Sequence, residues 1–332
     1  MPSLAVGLLA FPLLALAACS GGSANGGRVP LPNINVKATD LPAVAPMCDP
    51  LPALDSAALM RDVFRLAADS MRGRLIGSVE NALARDLLAA RFDAIGLEVL
   101  PPGRLHPVPV IPSARLNLEQ GWNVVGMVRG TVTPERYIVV TAHYDHVGIG
   151  RPVDGDSIYN GADDNASGAA ALAVLGRYFV ENPPRHSIIF AAVDGEERGM
   201  WGSRHFVEAP TVPLEQIVIN VNMDMIGRNI DNELYAAGPA KYPALRPLVE
   251  QTARCAPLTL KIGHDSGSAG YDWTNQSDQR AFHGKAIPFV YFGVEDHPDY
   301  HQPSDTPERL MPGFYVNAVR TVADFVRRVD GR

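Results

Sequence analysis

Residues 137–146 read Tyr-Ile-Val-Val-Thr-Ala-His-Tyr-Asp-His. Tyr137-Ile138-Val139-Val140-Thr141 is a short β-type run of aromatic and β-branched residues. It passes without a turn residue into His143, Asp145 and His146. Open α/β sheets place their ligands just outside the carboxyl ends of their strands. A strand that ends in imidazoles and a carboxylate is therefore the first place to look for chemistry.

Working outward, four further β-type runs occur at residues 123–128, 187–193, 217–222 and 287–292. Helical patterns fall between or before them. Residues 55–69 put Leu59, Val63, Phe64 and Leu66 on one side, and residues 79–95 do the same with Leu83, Leu87, Leu88, Phe92 and Ile95, stopping before Gly96. Residues 167–180 carry Ala171, Leu172, Val174, Leu175, Tyr178 and Phe179, a stripe that packs on a sheet. Strands alternating with helices predict an α/β fold: a mostly parallel central sheet with helices on both faces, in a single domain. No internal repeat is visible at solenoid periods.

Five segments at strand ends or helix starts carry metal-ligand side chains. They are Ala142-His143-Tyr144-Asp145-His146; Gly161-Ala162-Asp163-Asp164-Asn165-Ala166-Ser167-Gly168; Asp194-Gly195-Glu196-Glu197; Asp224-Met225; and Asp299-Tyr300-His301-Gln302-Pro303-Ser304-Asp305-Thr306. Singly, each has an ordinary structural explanation: a core histidine, helix-capping acids, solvated loop charge, a turn former. Together they bring imidazoles and four or more carboxylates to one sheet edge. That much negative charge in one cleft is unfavourable unless cations neutralise it. Borderline divalent ions accept mixed nitrogen and carboxylate donors, and a carboxylate can bridge two ions. Adjacent Glu196 and Glu197 suit a division in which one binds metal and the other stays free as a base. A hydrolase with a two-metal site is the simplest reading.

These segments, in this order, resemble the co-catalytic di-zinc aminopeptidases, the secreted bacterial leucyl-aminopeptidase type whose wider family also holds glutamate carboxypeptidase and glutaminyl cyclase. The resemblance covers residue 55 to the C-terminus. It implies two Zn2+ ions, one held by His143 and Asp224, the other by Glu197 and His301, with Asp164 bridging and Asp163 a neighbour. In that family the bridging aspartate often precedes another aspartate across a cis peptide, whereas here Asn165 follows Asp164. The resemblance also implies Asp145 as the carboxylate that orients His143, and Glu196 as the general base that activates water and returns the proton to the leaving amine. Tyr271 and Trp273 are candidates for the substrate pocket. Where the family often has Ser-Asp-His, this chain has Ser277-Asp278-Gln279, so no pocket role passes to Gln279. A carboxypeptidase or dipeptidase on the same scaffold needs a cation for the substrate carboxylate, and Arg228 is the candidate. Glutaminyl cyclase and a non-catalytic envelope-binding lipoprotein are the remaining alternatives.

The chain has 332 residues with 46% apolar and 20% charged, and its formal net charge of −7 disfavours a nucleic-acid footprint. Residues 3–18 are almost unbroken apolar and end in Leu16-Ala17-Ala18-Cys19. They read as a signal peptide (1–18), and the ending resembles the lipobox of bacterial lipoproteins, with Cys19 lipidated. No Lys or Arg precedes Arg28, a departure from the usual positive start. Residues 19–50, rich in Gly, Ser and Pro, read as a tether, and 51–332 as the peptidase domain. The expected location is the bacterial cell envelope, lipid-anchored and facing the periplasm or exterior. Three cysteines are too few for a disulfide scaffold, but in an oxidising compartment Cys48 and Cys255 can pair.

Overall fold

The computed structural model describes residues 41–42, 48–110, 120–267 and 271–331. The strands are β1 (Leu105–Val108), β2 (Gly121–Val128), β3 (Thr133–His143), β4 (Gly148–Val153), β5 (Asp156–Tyr159), β6 (His186–Val193), β7 (Ile217–Met223), β8 (Glu233–Ala237), β9 (Thr259–Ile262) and β10 (Phe289–Gly293). The helices are α1 (Ser56–Leu66), α2 (Val79–Ala94), α3 (Gly168–Glu181), α4 (Trp201–Glu208), α5 (Arg246–Cys255), α6 (Gln279–Gly284) and α7 (Pro312–Val329). Eight strands form one sheet in the order β1-β2-β6-β3-β7-β10-β8-β9, and β4 pairs with β5 in a separate hairpin. The centre, β6-β3-β7-β10, is parallel. Antiparallel pairing enters only towards the edges, at β1/β2, β2/β6 and β10/β8.

Alternation along β3 builds the two layers. Ile138, Val140 and Ala142 join the larger core with α1, α2, α3 and α7, while Val139 faces the smaller core with Phe206 of α4 and Phe282 of α6. Helices thus cover both faces, as predicted. Side chains such as Phe190 and Phe282 are fully buried, and truncating either to Ala would cost about 3–5 kcal/mol. Asp55 caps α1 by accepting from the Ala58 amide at 2.9 Å, and Ser78 caps α2 through the Asn81 amide at 3.0 Å.

Two helix-face assignments need correction. Phe64 is 42% exposed and Leu83 is 50% exposed. At about 100° per residue, Leu59, Val63 and Leu66 face inward and Phe64 turns out. In α2 the inward row is Ala84, Leu88 and Phe92, one residue out of step with Leu83. Asp62 is buried in α1 and is paired with Arg91 at 2.7 Å.

Cys48 and Cys255 form a disulfide with a Cα–Cα separation of 5.5 Å. The carbonyl of Pro50 accepts from Arg327 at 3.2 Å. The chain is therefore fastened to the domain from Cys48 on, slightly before the expected end of the tether. The apolar run 3–18, Cys19 and most of the tether lie outside the described residues. Among the described residues, no helix is long and apolar enough to cross a membrane.

Candidate metal centre

β6, β3 and β7 are parallel neighbours, so their carboxyl ends lie side by side. His143 is in register with Val193, Thr141 with Asn222, and Phe292 of β10 with Met223. The sheet thereby gathers four of the five segments. The fifth, Ala162–Ser167, is a helical turn leading into α3. Asp305 holds it in place: its carboxylate accepts from the amides of Asp163 and Asp164, each at 3.1 Å. The Asp164–Asn165 peptide is cis.

His143 Nε2 stands 3.2 Å from Asp224 Oδ1 and 3.4 Å from Asp164 Oδ1. His301 Nε2 stands 3.0 Å from Asp164 Oδ2 and 3.3 Å from Glu197 Oε2. Ligands about 2.0–2.1 Å from a tetrahedral zinc sit about 3.3 Å from one another, so these spacings suit donors around an ion. Each oxygen of Asp164 faces a different group, as a bridging carboxylate requires. Asp163 is engaged elsewhere: it accepts from the Gly227 amide at 2.6 Å and faces His297 Nε2 at 3.1 Å. Asp145 has its carboxylate 3.6 Å from His143 Nδ1 and also accepts from the amides of Glu196 and Glu197 at 3.0 and 3.3 Å. It ties the histidine loop to the glutamate loop.

The electrostatics follow from burial and mutual charge. Burial pushes the Asp164 carboxyl up, but His146, His143 and His301 outweigh it and hold it well below the ordinary range. Burial and Asp164 likewise raise Glu197, yet His146 and His301 bring it down to about 2. His301 is raised to about 10, because Asp164 and Glu197 overcome the effect of burial. Glu196 is different: burial, reinforced by Asp278 and Asp224 against the pull of His143, pushes it well above a normal glutamate. The buried atoms Glu197 Oε1 and both ring nitrogens of His146 have no hydrogen-bond partner among the described residues. A set of buried carboxylates faced by imidazoles and the buried Arg74 guanidinium, with unpartnered donor atoms, fits borderline divalent cations.

Residues 123–326 match the model of peptidase family M28. The chain belongs to that family. A probable zinc metalloprotease of Leptosphaeria maculans is 32% identical over 155 residues, which is 44% of this chain and 34% of that protein. The aminopeptidase YwaD of Bacillus subtilis is 30% identical over 201 residues, 57% of this chain and 40% of that one. The matches therefore span well under half the length of these relatives. Among solved structures, the zinc aminopeptidase BSAP of Bacillus subtilis superposes with a TM-score of 0.65 at 17% identity, covering 84% of this chain and 96% of that one, a likeness of fold.

In this M28 peptidase the donors open onto a cavity lined by Asp164, Glu196, Asp224, Met225, Trp273, Gln276, Tyr291, Val294, Asp296, Tyr300 and His301. Trp273 is there as the sequence suggested, stacked on His264 at 3.8 Å. Tyr271 is not: it is 69% exposed and does not line the cavity. Arg228 is not either, because its guanidinium is paired with Asp299. Gln279 accepts from Asn222 at 3.0 Å and donates to the Trp273 carbonyl at 2.6 Å, bracing the wall from behind.

Sequence reasoning assigned no task to Arg74, His146 or Asp305. Arg74 is fully buried, and burial lowers its pKa to about 10. Its guanidinium donates to the carbonyls of Tyr144, Leu66 and Gly161 at 2.8, 2.8 and 2.9 Å and to that of Asn160. Nothing in its local sequence marks it. His146 and Asp305 stand inside quoted motifs, and only their neighbours in space reveal what they face.

Proposed function

We propose that this M28 peptidase is a two-zinc aminopeptidase that removes N-terminal residues from peptides. The observation that carries the reading is the charge of the cavity wall. Among the described residues it presents Asp164, Glu196, Asp224 and Asp296 and no Lys or Arg. With zinc on Asp164 and Asp224, and with burial favouring the protonated form of Glu196, Asp296 is the remaining carboxylate of this wall, and it favours a substrate α-ammonium over a carboxylate. The pairing of Arg228 with Asp299 removes the cation that a carboxypeptidase needs. The relatives described above, a probable zinc metalloprotease and an aminopeptidase, support the same class.

His143, Asp164 and Asp224 would hold one zinc, and Glu197, His301 and Asp164 the other. When bound, the ions supply Lewis acidity that makes water a better nucleophile near neutral pH and polarises the scissile carbonyl. Glu196 lines the same cavity and takes the proton from the attacking water. Its raised pKa suits a group that must then give the proton to the leaving amine. Asp145 fixes the backbone of both glutamates. Trp273, Tyr300 and Met225 shape the wall around the substrate side chain.

The export reading is part of the proposal: residues 1–18 direct secretion, and Cys19 carries lipid at a bacterial envelope. The Cys48–Cys255 disulfide supports an oxidising compartment.

The test combines metal analysis with hydrolysis of aminoacyl chromogenic amides and their N-acetylated forms, with and without chelator. About two zinc ions per chain and chelator-sensitive cleavage of free-amine substrates alone are expected. Cleavage of acetylated substrates at a comparable rate, or metal without amide cleavage, would overturn the aminopeptidase reading.

A further inference from the structure

The five ligands named above leave one buried imidazole without a task. We propose that His146 is a further protein ligand, through Nδ1, of the ion held by Asp164, Glu197 and His301. The proposal rests on the zinc reading of the site.

His146 is completely buried, and neither ring nitrogen makes a hydrogen bond among the described residues. Nδ1 nonetheless lies 2.8 Å from Glu197 Oε1 and 3.7 Å from Asp164 Oδ2. Glu197 Oε1 also lacks a hydrogen bond. Two polar atoms this close without hydrogen-bond alignment are not aimed at each other. Donor atoms around one ion behave in this way, because each points at the metal. One donor atom from each of His146, Asp164, Glu197 and His301 falls within a sphere of contact in which all lie within 4.8 Å of one another. The rings of His146 and His301 meet edge to face, with centroids 5.6 Å apart.

The backbone makes room for this arrangement. Gly161 has a positive φ of 58°, and a Cβ there would lie 2.5 Å from His146 Cγ and Cδ2. The Arg74 carbonyl accepts the His146 amide at 3.4 Å. The two halves of the centre then differ. With zinc bound, the half with His146 would have four protein donors, whereas His143, Asp164 and Asp224 would supply three. Asp164, Asp224 and His301 share the cavity wall with Glu196. His146 itself does not line that cavity.

The experiment uses the full chain and its His146→Cys variant, each stripped of metal and reloaded with Co2+. Nδ1 is the ring nitrogen next to the Cβ-bearing carbon, so a cysteine sulfur reaches nearly the same point. The variant is expected to gain a near-ultraviolet sulfur-to-cobalt charge-transfer band that the unmodified chain lacks. Zinc X-ray absorption of the unmodified protein is expected to show three imidazoles over two ions, and this needs no variant. His146→Ala is expected to weaken one zinc by more than about 100-fold, beyond the usual effect of an outer hydrogen-bond partner. Bound cobalt with no sulfur band, or only two imidazoles over two ions, overturns the assignment and leaves the zinc reading intact. Failure of the unmodified chain to bind either metal overturns both.

Discussion

Glu196 and Glu197 are neighbours in sequence with opposite environments. Glu197 is held down to about 2 by His146 and His301 against burial and Asp164, whereas Glu196 is pushed well up by burial. These environments suit the roles proposed for them, Glu197 to bind a cation and Glu196 to move a proton. Glu196→Gln is expected to lower kcat by about 10²–10⁴-fold with zinc content unchanged in metal analysis; turnover within tenfold of the parent would remove Glu196 from its role. The imidazoles set a pH dependence. His301 binds its proton up to about pH 10, and a ligating nitrogen must lose that proton. Below that pH the proton competes with zinc, so apparent zinc affinity is expected to rise steadily from pH 6 to 9 in competition with a chelator of known pH behaviour. A flat profile would contradict the ligand role. The residue types were readable from the motifs, since only a few side chains bind zinc or move protons. The choice of Asp164 over Asp163 rested on likeness to a family, and here the two carboxylates prove to face different groups.

Among the elements, the short helical turn Asp69–Arg74 ties together the end of α1 and the loops after β3 and before α3, because its Arg74 donates to the carbonyls of Leu66, Tyr144, Asn160 and Gly161. Removing the guanidinium leaves several buried carbonyl oxygens without partners, each costing about 1–3 kcal/mol. Arg74→Met is expected to lose more than about 3 kcal/mol in denaturant unfolding and to weaken zinc binding by moving the His143 and Asp164 loops apart. A loss below about 1 kcal/mol with normal zinc affinity would show that the clamp is dispensable. The long strands and helices of this unit had clear periodicity. Strands β1, β8 and β9, of four or five residues each, did not: segments so short hold too few repeats for a pattern, and their sheet partners decide them. Phe64 and Leu83 were misplaced for a related reason, since one step of about 100° separates an inward from an outward side chain.

For the molecule as a whole, the parallel order β6-β3-β7-β10 brings a histidine loop, a glutamate loop and two aspartate-bearing loops to one edge, and helices on both faces exclude water behind them. Cys48–Cys255 closes a separation of 207 residues, which restricts the unfolded chain and typically contributes about 2–4 kcal/mol. If Cys19 carries lipid, the full chain is expected in the membrane fraction of a bacterial host and Cys19→Ala in the soluble one, with zinc content the same. Equal partition of both would discard the anchor without touching the peptidase. The candidate ligands, the glutamate pair and the α/β class could be proposed from local patterns, and the α/β class holds, because chemistry selects side-chain type and burial selects periodicity. Arg74, which reaches Tyr144 and Gly161 across 70 and 87 positions, the aim of His146 and a cavity wall without Lys or Arg among the described residues could not. They depend on distances between segments remote in the chain, and only packing of the whole sheet and its helices sets those distances.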